Sequence, residues 1–205
     1  MLAIAAAAVL LDGIVLRSFI AAIALGLLWE FAGLVRKITA SAVRRAAWMF
    51  FALGYVGFAA WTLADLGSPA ILFPVLAVIC TDIGAYFAGR TIGGPKIAPA
   101  ISPSKTWSGL GGGMIGAGLG LALAVGIAGP SVPTWLNWTT CMLIGMPTAI
   151  VAQVGDFFES WLKRRAGVKD SGRLIPGHGG LFDRTDGVIA VGCLLGLTQI
   201  GGIGF

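Results

Sequence analysis

Charge is the scarcest feature of this sequence. Asp, Glu, Lys and Arg make up 11% of its 205 residues, against about 25% in an ordinary soluble domain, which excludes a water-soluble globular chain. Cysteine is nearly absent as well: Cys80, Cys141 and Cys193 each fall inside an apolar run, with no C-x-x-C spacing. That excludes a disulfide framework and a cysteine zinc site. Only one histidine occurs, His178, too few for a histidine metal cluster. No basic region precedes the first apolar run, so the start of the chain is read as mature sequence and not as a signal peptide.

What is present is hydrocarbon. Hydrophobic residues make up 57% of the chain and the mean hydropathy is +0.91. Crossing a bilayer takes about 20 apolar residues in a helix, and six stretches qualify, at about 14–35, 46–66, 69–89, 108–129, 135–155 and 185–204. The first eleven residues reach only about half-way across at 1.5 Å per residue, as a half-span or the remnant of a longer one. The predicted fold is an all-α, polytopic transmembrane helical bundle. It has six full spans plus a short N-terminal apolar segment and forms one integral membrane domain over 1–205.

Thirteen of the fourteen Lys and Arg residues lie in Arg36–Arg45, Arg90–Lys105 and Lys163–Arg184, and the alternate connections have none. The positive-inside rule places these segments in the cytoplasm, as loops 36–45, 90–107 and 156–184, with the C-terminus outside. Trp29, Trp48, Trp61, Trp107, Trp135, Trp138 and Trp161 stand near predicted helix ends, where interfacial anchors belong. The pI of about 9.5 follows from this topology and does not call for nucleic acid. Glycines 112, 116 and 120 share one helix face and predict close helix packing, while Gly111 and Gly113 could admit a phosphate to backbone N–H groups.

The densest polar segment is Gly155–Asp186, GDFFESWLKRRAGVKDSGRLIPGHGGLFDRTD, with five acids and six bases. Asp156 and Ser160 are four apart on one helix face, and Asp183 and Asp186 three apart on another. Oxygen donors flanking a basic loop are what a magnesium nucleotide needs: carboxylates hold the metal, and cations neutralise the remaining phosphate charge. The glycines around His178 let backbone N–H groups approach an anion. Equally, Asp183 and Asp186 can cap the following helix, and Glu159 and Lys163 can be a surface i,i+4 pair. From the residues alone, both readings stand. Asp82, near the cytoplasmic end of its span, is a functional candidate by its cost in hydrocarbon, and Glu30 poses the same puzzle without an assigned role.

The pattern SxxKRxxxxKDxGxxxPGHGGxxDRxD, met from Ser160 to Asp186, resembles the signature of the phosphatidate cytidylyltransferase family. Gly155-Asp156, the stretch from Thr81 to Gly109 and, more weakly, Trp29-Glu30-Phe31 are also similar to conserved stretches of that family. The sequence departs from it at Ile83 and Ser108. The resemblance implies a magnesium-dependent nucleotidyltransferase that joins CTP and phosphatidate into CDP-diacylglycerol and releases pyrophosphate. It implies a homodimer in the cell (inner) membrane with a cytoplasmic active site, among membrane lipids and without nucleic acid. A second cation beside magnesium is left open. On this reading Asp156, Asp183 and Asp186 hold the metal. Asp82, Ser160, Lys163, Arg164, Lys169, Asp170, His178 and Arg184 serve the reaction, and Arg90, Lys96, Lys105, Gly177, Gly179 and Gly180 meet the substrate phosphates. The alternatives are a related CTP-dependent enzyme with another lipid acceptor and, from another class, a transporter or channel. Internal repeats, which a transporter would favour, are not evident.

Overall fold

The computed structural model describes residues 2–172, 174 and 179–201. Seven α-helices occur among them: α1 (Leu2–Leu11), α2 (Gly13–Ile38), α3 (Ala42–Leu66), α4 (Leu72–Thr91), α5 (Trp107–Ala128), α6 (Trp138–Ala166) and α7 (Phe182–Ile200). Of these, α2 to α6 are long and apolar enough to cross a membrane. Large apolar side chains are exposed on all five, Leu25, Phe50, Phe87, Ile115 and Leu143 among them, as lipid contact requires. This is a multi-pass membrane architecture. The sixth expected span corresponds to α7, which is not one of the five. Asp183, Arg184 and Asp186 occupy its first turns, so among the described residues its apolar part runs only over 187–200.

The chain forms two compact units, residues 1–68 with 158–205 and residues 69–157, the boundary falling inside α6. In the first unit, α2, α3 and α7 surround an apolar core that includes Leu27, Phe31, Leu34, Val56, Leu162, Phe182 and Ile189. Trp48 and Trp161 pack in this cluster with ring centroids 6.1 Å apart. They are therefore core aromatics as well as helix-end residues, whereas Trp29, Trp61, Trp107, Trp135 and Trp138 are exposed as anchors would be. α1 breaks from α2 at Asp12, which has φ 47° and whose carboxylate accepts the Ser68 N–H at 3.0 Å.

The second unit is built on glycine. α4 and α5 approach backbone to backbone: a Cβ at Gly112 would lie 2.6 Å from the Gly84 carbonyl oxygen, and one at Gly120 would lie 2.5 Å from that of Leu76. The predicted glycine face is thus consumed by packing inside the chain. Gly113 joins it against Thr81. The connection from α4 to α5 is not a plain loop, because β1 (Lys96–Ala98) and β2 (Ser102–Thr106) form an antiparallel hairpin. An all-α expectation misses it. Thr106 then caps α5, its Oγ1 accepting the Gly109 N–H at 3.1 Å, and Ser108 Oγ donates to the Gly93 carbonyl.

Candidate functional site

In the first unit, the site residues meet where α6 ends and α7 begins. α6 continues eleven residues beyond the predicted span, so Ser160, Lys163 and Arg164 lie on helix, not on loop. Glu159 and Lys163 do form the i,i+4 pair, at 2.8 Å, but Glu159 is only 1% exposed. It is buried, not on a surface. Lys163 Nζ also donates to Asp183 Oδ1 at 2.7 Å. The other oxygen of Asp183 accepts the backbone N–H of Gly180 at 2.8 Å and that of Ser171 at 3.0 Å, and lies 3.1 Å from the Ser171 hydroxyl, whose single proton it shares with Glu30;. Burial alone would raise the Asp183 carboxyl, but hydrogen bonding with Glu159, Lys163 and these two backbone groups outweighs it and holds Asp183 below the ordinary carboxylate range;.

The anion that Gly180 approaches is therefore one of the protein's own carboxylates. Gly179 has φ 83°, a conformation that side-chain-bearing residues avoid. The same loop is held from α2 by Glu30, which is 3% exposed. Glu30 accepts the N–H of Leu181 at 3.0 Å, the N–H of Phe182 at 2.9 Å and the Ser171 hydroxyl at 3.0 Å. α7 has no side-chain cap of its own at Leu181. Glu30 supplies that cap from a distant helix, satisfying otherwise orphaned N–H groups at the positive end of the helix dipole.

A divalent cation fits the remaining acids of this unit. Glu159 Oε1 is buried with no hydrogen-bond partner among the described residues, and Glu159 and Asp186 each place a carboxylate oxygen within 4.8 Å of the other. Hard oxygen donors at this spacing suit magnesium. Asp156 lies one turn before Glu159 on α6. Ser160 is half-buried, while Arg164, Lys169, Asp170 and Arg184 are exposed. His178 and Gly177 lie outside the described residues.

In the second unit a cavity of about 310 Å³ is lined by Asp82, Tyr86, Arg90, Lys105, Gln153 and Asp156, with glycines 89 and 109 in its wall. Lys105 pairs with Asp156, and its ammonium lies 5.0 Å from the centre of the Phe157 ring. Arg90 hydrogen-bonds the Tyr86 hydroxyl at 3.2 Å. The hairpin carries Lys105 to this wall, because β2 runs straight into α5. Lys96 stands exposed on β1. A cavity with cations, carboxylates and glycine backbone has the composition that a polyphosphate and its counter-ions require.

The profile of the cytidylyltransferase family covers residues 41–198. The chain belongs to the cytidylyltransferase family. Among its similar relatives, a phosphatidate cytidylyltransferase of Brucella suis biovar 1 is 46% identical over 155 residues, 72% of this chain and 55% of the relative. One from Staphylococcus saprophyticus is 38% identical over 158 residues, 76% of this chain and 59% of the relative. One from Haemophilus influenzae is 39% identical over 120 residues, 58% and 42% of the two chains. The chain thus spans about half the length of the curated relatives it matches.

In this cytidylyltransferase-family chain the sequence left Glu30 without a role, read Glu159 as a surface residue and did not single out Ser171. For Glu159 the signal was present in its i,i+4 spacing to Lys163, but periodicity does not report depth. For Glu30 the signal was an acid in an apolar helix, a costly placement that calls for partners. Ser171 gave none beyond lying inside the signature.

Proposed function

We propose that this chain transfers the cytidylyl group of CTP to phosphatidate, forming CDP-diacylglycerol and pyrophosphate. The observation that carries the proposal is the Glu159–Lys163–Asp183 network beside Asp186, inside a segment matched by the family profile. A phosphate oxygen of the lipid attacks the α-phosphorus of CTP. A new P–O bond forms there as the bond to the β-phosphate oxygen breaks, and pyrophosphate leaves with that electron pair. The nucleophile is already anionic, so no residue has to create it. Catalysis then consists of positioning and charge neutralisation.

A magnesium ion, if bound there, would supply neutralisation of the phosphate charge. Glu159 and Asp186 are proposed to hold it, with Asp183 as expected from the signature. Asp156 keeps its proposed metal role on α6, and Asp82 its proposed catalytic role. Lys163 neutralises charge while fixing Asp183, and Arg164, Lys169 and Arg184, all exposed, are proposed to face the triphosphate. Asp170 is an exposed acid of the same signature. Arg90 and Lys105 are proposed to take phosphate groups at their cavity, with Lys96 further out on the hairpin. Gly179 and Gly180 shape the loop. The wider reading has the enzyme in the inner membrane with six spans, α7 supplying the sixth, a cytoplasmic active site and a homodimeric state. A dimer would have to use a surface other than the α5 glycine face, which α4 already covers.

The test is pyrophosphate release by purified protein in detergent, with CTP, phosphatidate and magnesium each withheld in turn. Release that needs all three supports the proposal. Release without phosphatidate, or with another lipid only, overturns the acceptor assignment.

A further inference from the structure

We infer that Glu30 is a positioning residue for the transfer reaction: from α2, outside the signature, its carboxylate fixes the start of α7 and through it Asp183 and Asp186. This rests on the activity proposed above. Among the described residues its three partners are all uncharged, two backbone N–H groups and one hydroxyl. A buried carboxylate with neutral donors gains direction more than charge pairing, since each oxygen is assigned to particular hydrogens.

Geometry leaves little slack. Oε1 receives Leu181 N–H, and Oε2 receives Phe182 N–H and the Ser171 hydroxyl. The loop fits around this group only because it carries glycine: a Cβ at Gly180 would lie 2.7 Å from Glu30 Oε2, and one at Gly172 would lie 2.7 Å from Glu30 Cγ. Ser171 then joins Glu30 to the acid of the signature, its hydroxyl being 3.0 Å from Glu30 Oε2 and 3.1 Å from Asp183 Oδ2. Both carboxylates hold the loop at Ser171. One sits on α7 itself and the other on α2, so α7 cannot shift along its axis without breaking bonds to Glu30.

An amide cannot replace this carboxylate. In Glu30→Gln one terminal atom becomes NH2 and must face a backbone N–H, whichever way the amide turns. Glu30→Asp keeps both oxygens but withdraws them by one methylene.

The experiment uses the full chain in detergent and two independent readouts. The first is hydrogen–deuterium exchange of peptides covering 171–183, which does not depend on turnover. Exchange in Glu30→Gln should be about tenfold faster there and unchanged in α4 and α5. The second is steady-state kinetics with CTP, phosphatidate and magnesium. We expect kcat to fall about 10–100-fold, as for groups that orient metal ligands, with KM for CTP within about threefold and the half-saturating magnesium concentration raised. Glu30→Asp should fall between wild type and Glu30→Gln. If Glu30→Gln does not fold, Ser171→Ala, which removes only the bridging hydroxyl, should show both effects at about a third to a tenth of their size.

Lower thermal stability with wild-type kcat and magnesium dependence would make Glu30 a scaffold residue only and overturn the inference. So would unchanged exchange over 171–183. A wild-type protein that transfers nothing while its Glu30 variant loosens the loop would instead overturn the activity proposal, so the two failures are distinguishable.

Discussion

The two units use their acidic residues differently. In the first, the carboxylates of Glu30 and Asp183 are turned inward onto backbone N–H groups, and one lysine, Lys163, is clamped between Glu159 and Asp183 at 2.8 and 2.7 Å. In the second, Asp82, Asp156 and Lys105 line an open cavity whose wall is made of glycine-packed helices. In the first unit Glu30 and Asp183 hold a loop in shape while Glu159 and Asp186 are left for a cation, and in the second the charges line a cavity. Acid-rich sequence therefore does not mean one kind of site. Glu30, whose hydrogen bonds all go to the loop, sets geometry, whereas Asp82, facing a cavity, is placed to meet a ligand.

The sharpest way to break this contrast is at Asp183. Asp183→Asn turns an NH2 either to Lys163 or to the backbone N–H groups of Ser171 and Gly180 and removes the charge, so turnover should fall about 1000-fold;. Initial rates at saturating CTP check it. Within tenfold of wild type, the loop does not depend on this carboxylate. Lys105→Ala should cost about 100-fold if the cavity meets phosphate, with KM for CTP rising. A loss confined to stability would reduce Lys105 to a structural partner of Asp156.

Packing in the second unit gives the next effect. Gly116→Leu drives a side chain into the Cys80 backbone and should destabilise the protein by about 3 kcal/mol or more, read as a lowered unfolding temperature in detergent. Acid stability sharpens the first unit. Because Asp183 lies below its unfolded value, its contribution is present above about pH 4 and is lost as pH falls toward its folded value;. Asp183→Asn should therefore flatten the acid limb of the stability profile below about pH 5. The smallest effect is expected for Ser108→Ala, about 1 kcal/mol for one hydrogen bond to Gly93;.

Much of the fold was legible because hydrocarbon thickness dictates apolar run length, and five of the predicted runs reappear as α2 to α6 within a few residues at most ends. The exception is the end of α6. FFESWLKRRA is too polar to read as a span, yet nothing in it breaks a helix before Gly167. The hairpin was illegible for the opposite reason, since KIA and SPSKT lack the alternation and β-branched residues that announce strands. Local motifs singled out Asp156, Asp183 and Asp186 as candidates and left Glu159 as a surface residue. They could not say that Glu30 would reach residues 141 to 152 positions away, because contacts of that range are set by the packing of α2 on α7 and not by spacing.

Cytidylyl transfer itself is tested most directly by where the label goes. With phosphatidate, magnesium and purified protein, CTP labelled at the α-phosphorus should deliver its label to the lipid, and CTP labelled at the γ-phosphorus should deliver none. Label from the γ position in the lipid would make the protein a CTP-dependent lipid kinase and contradict the account.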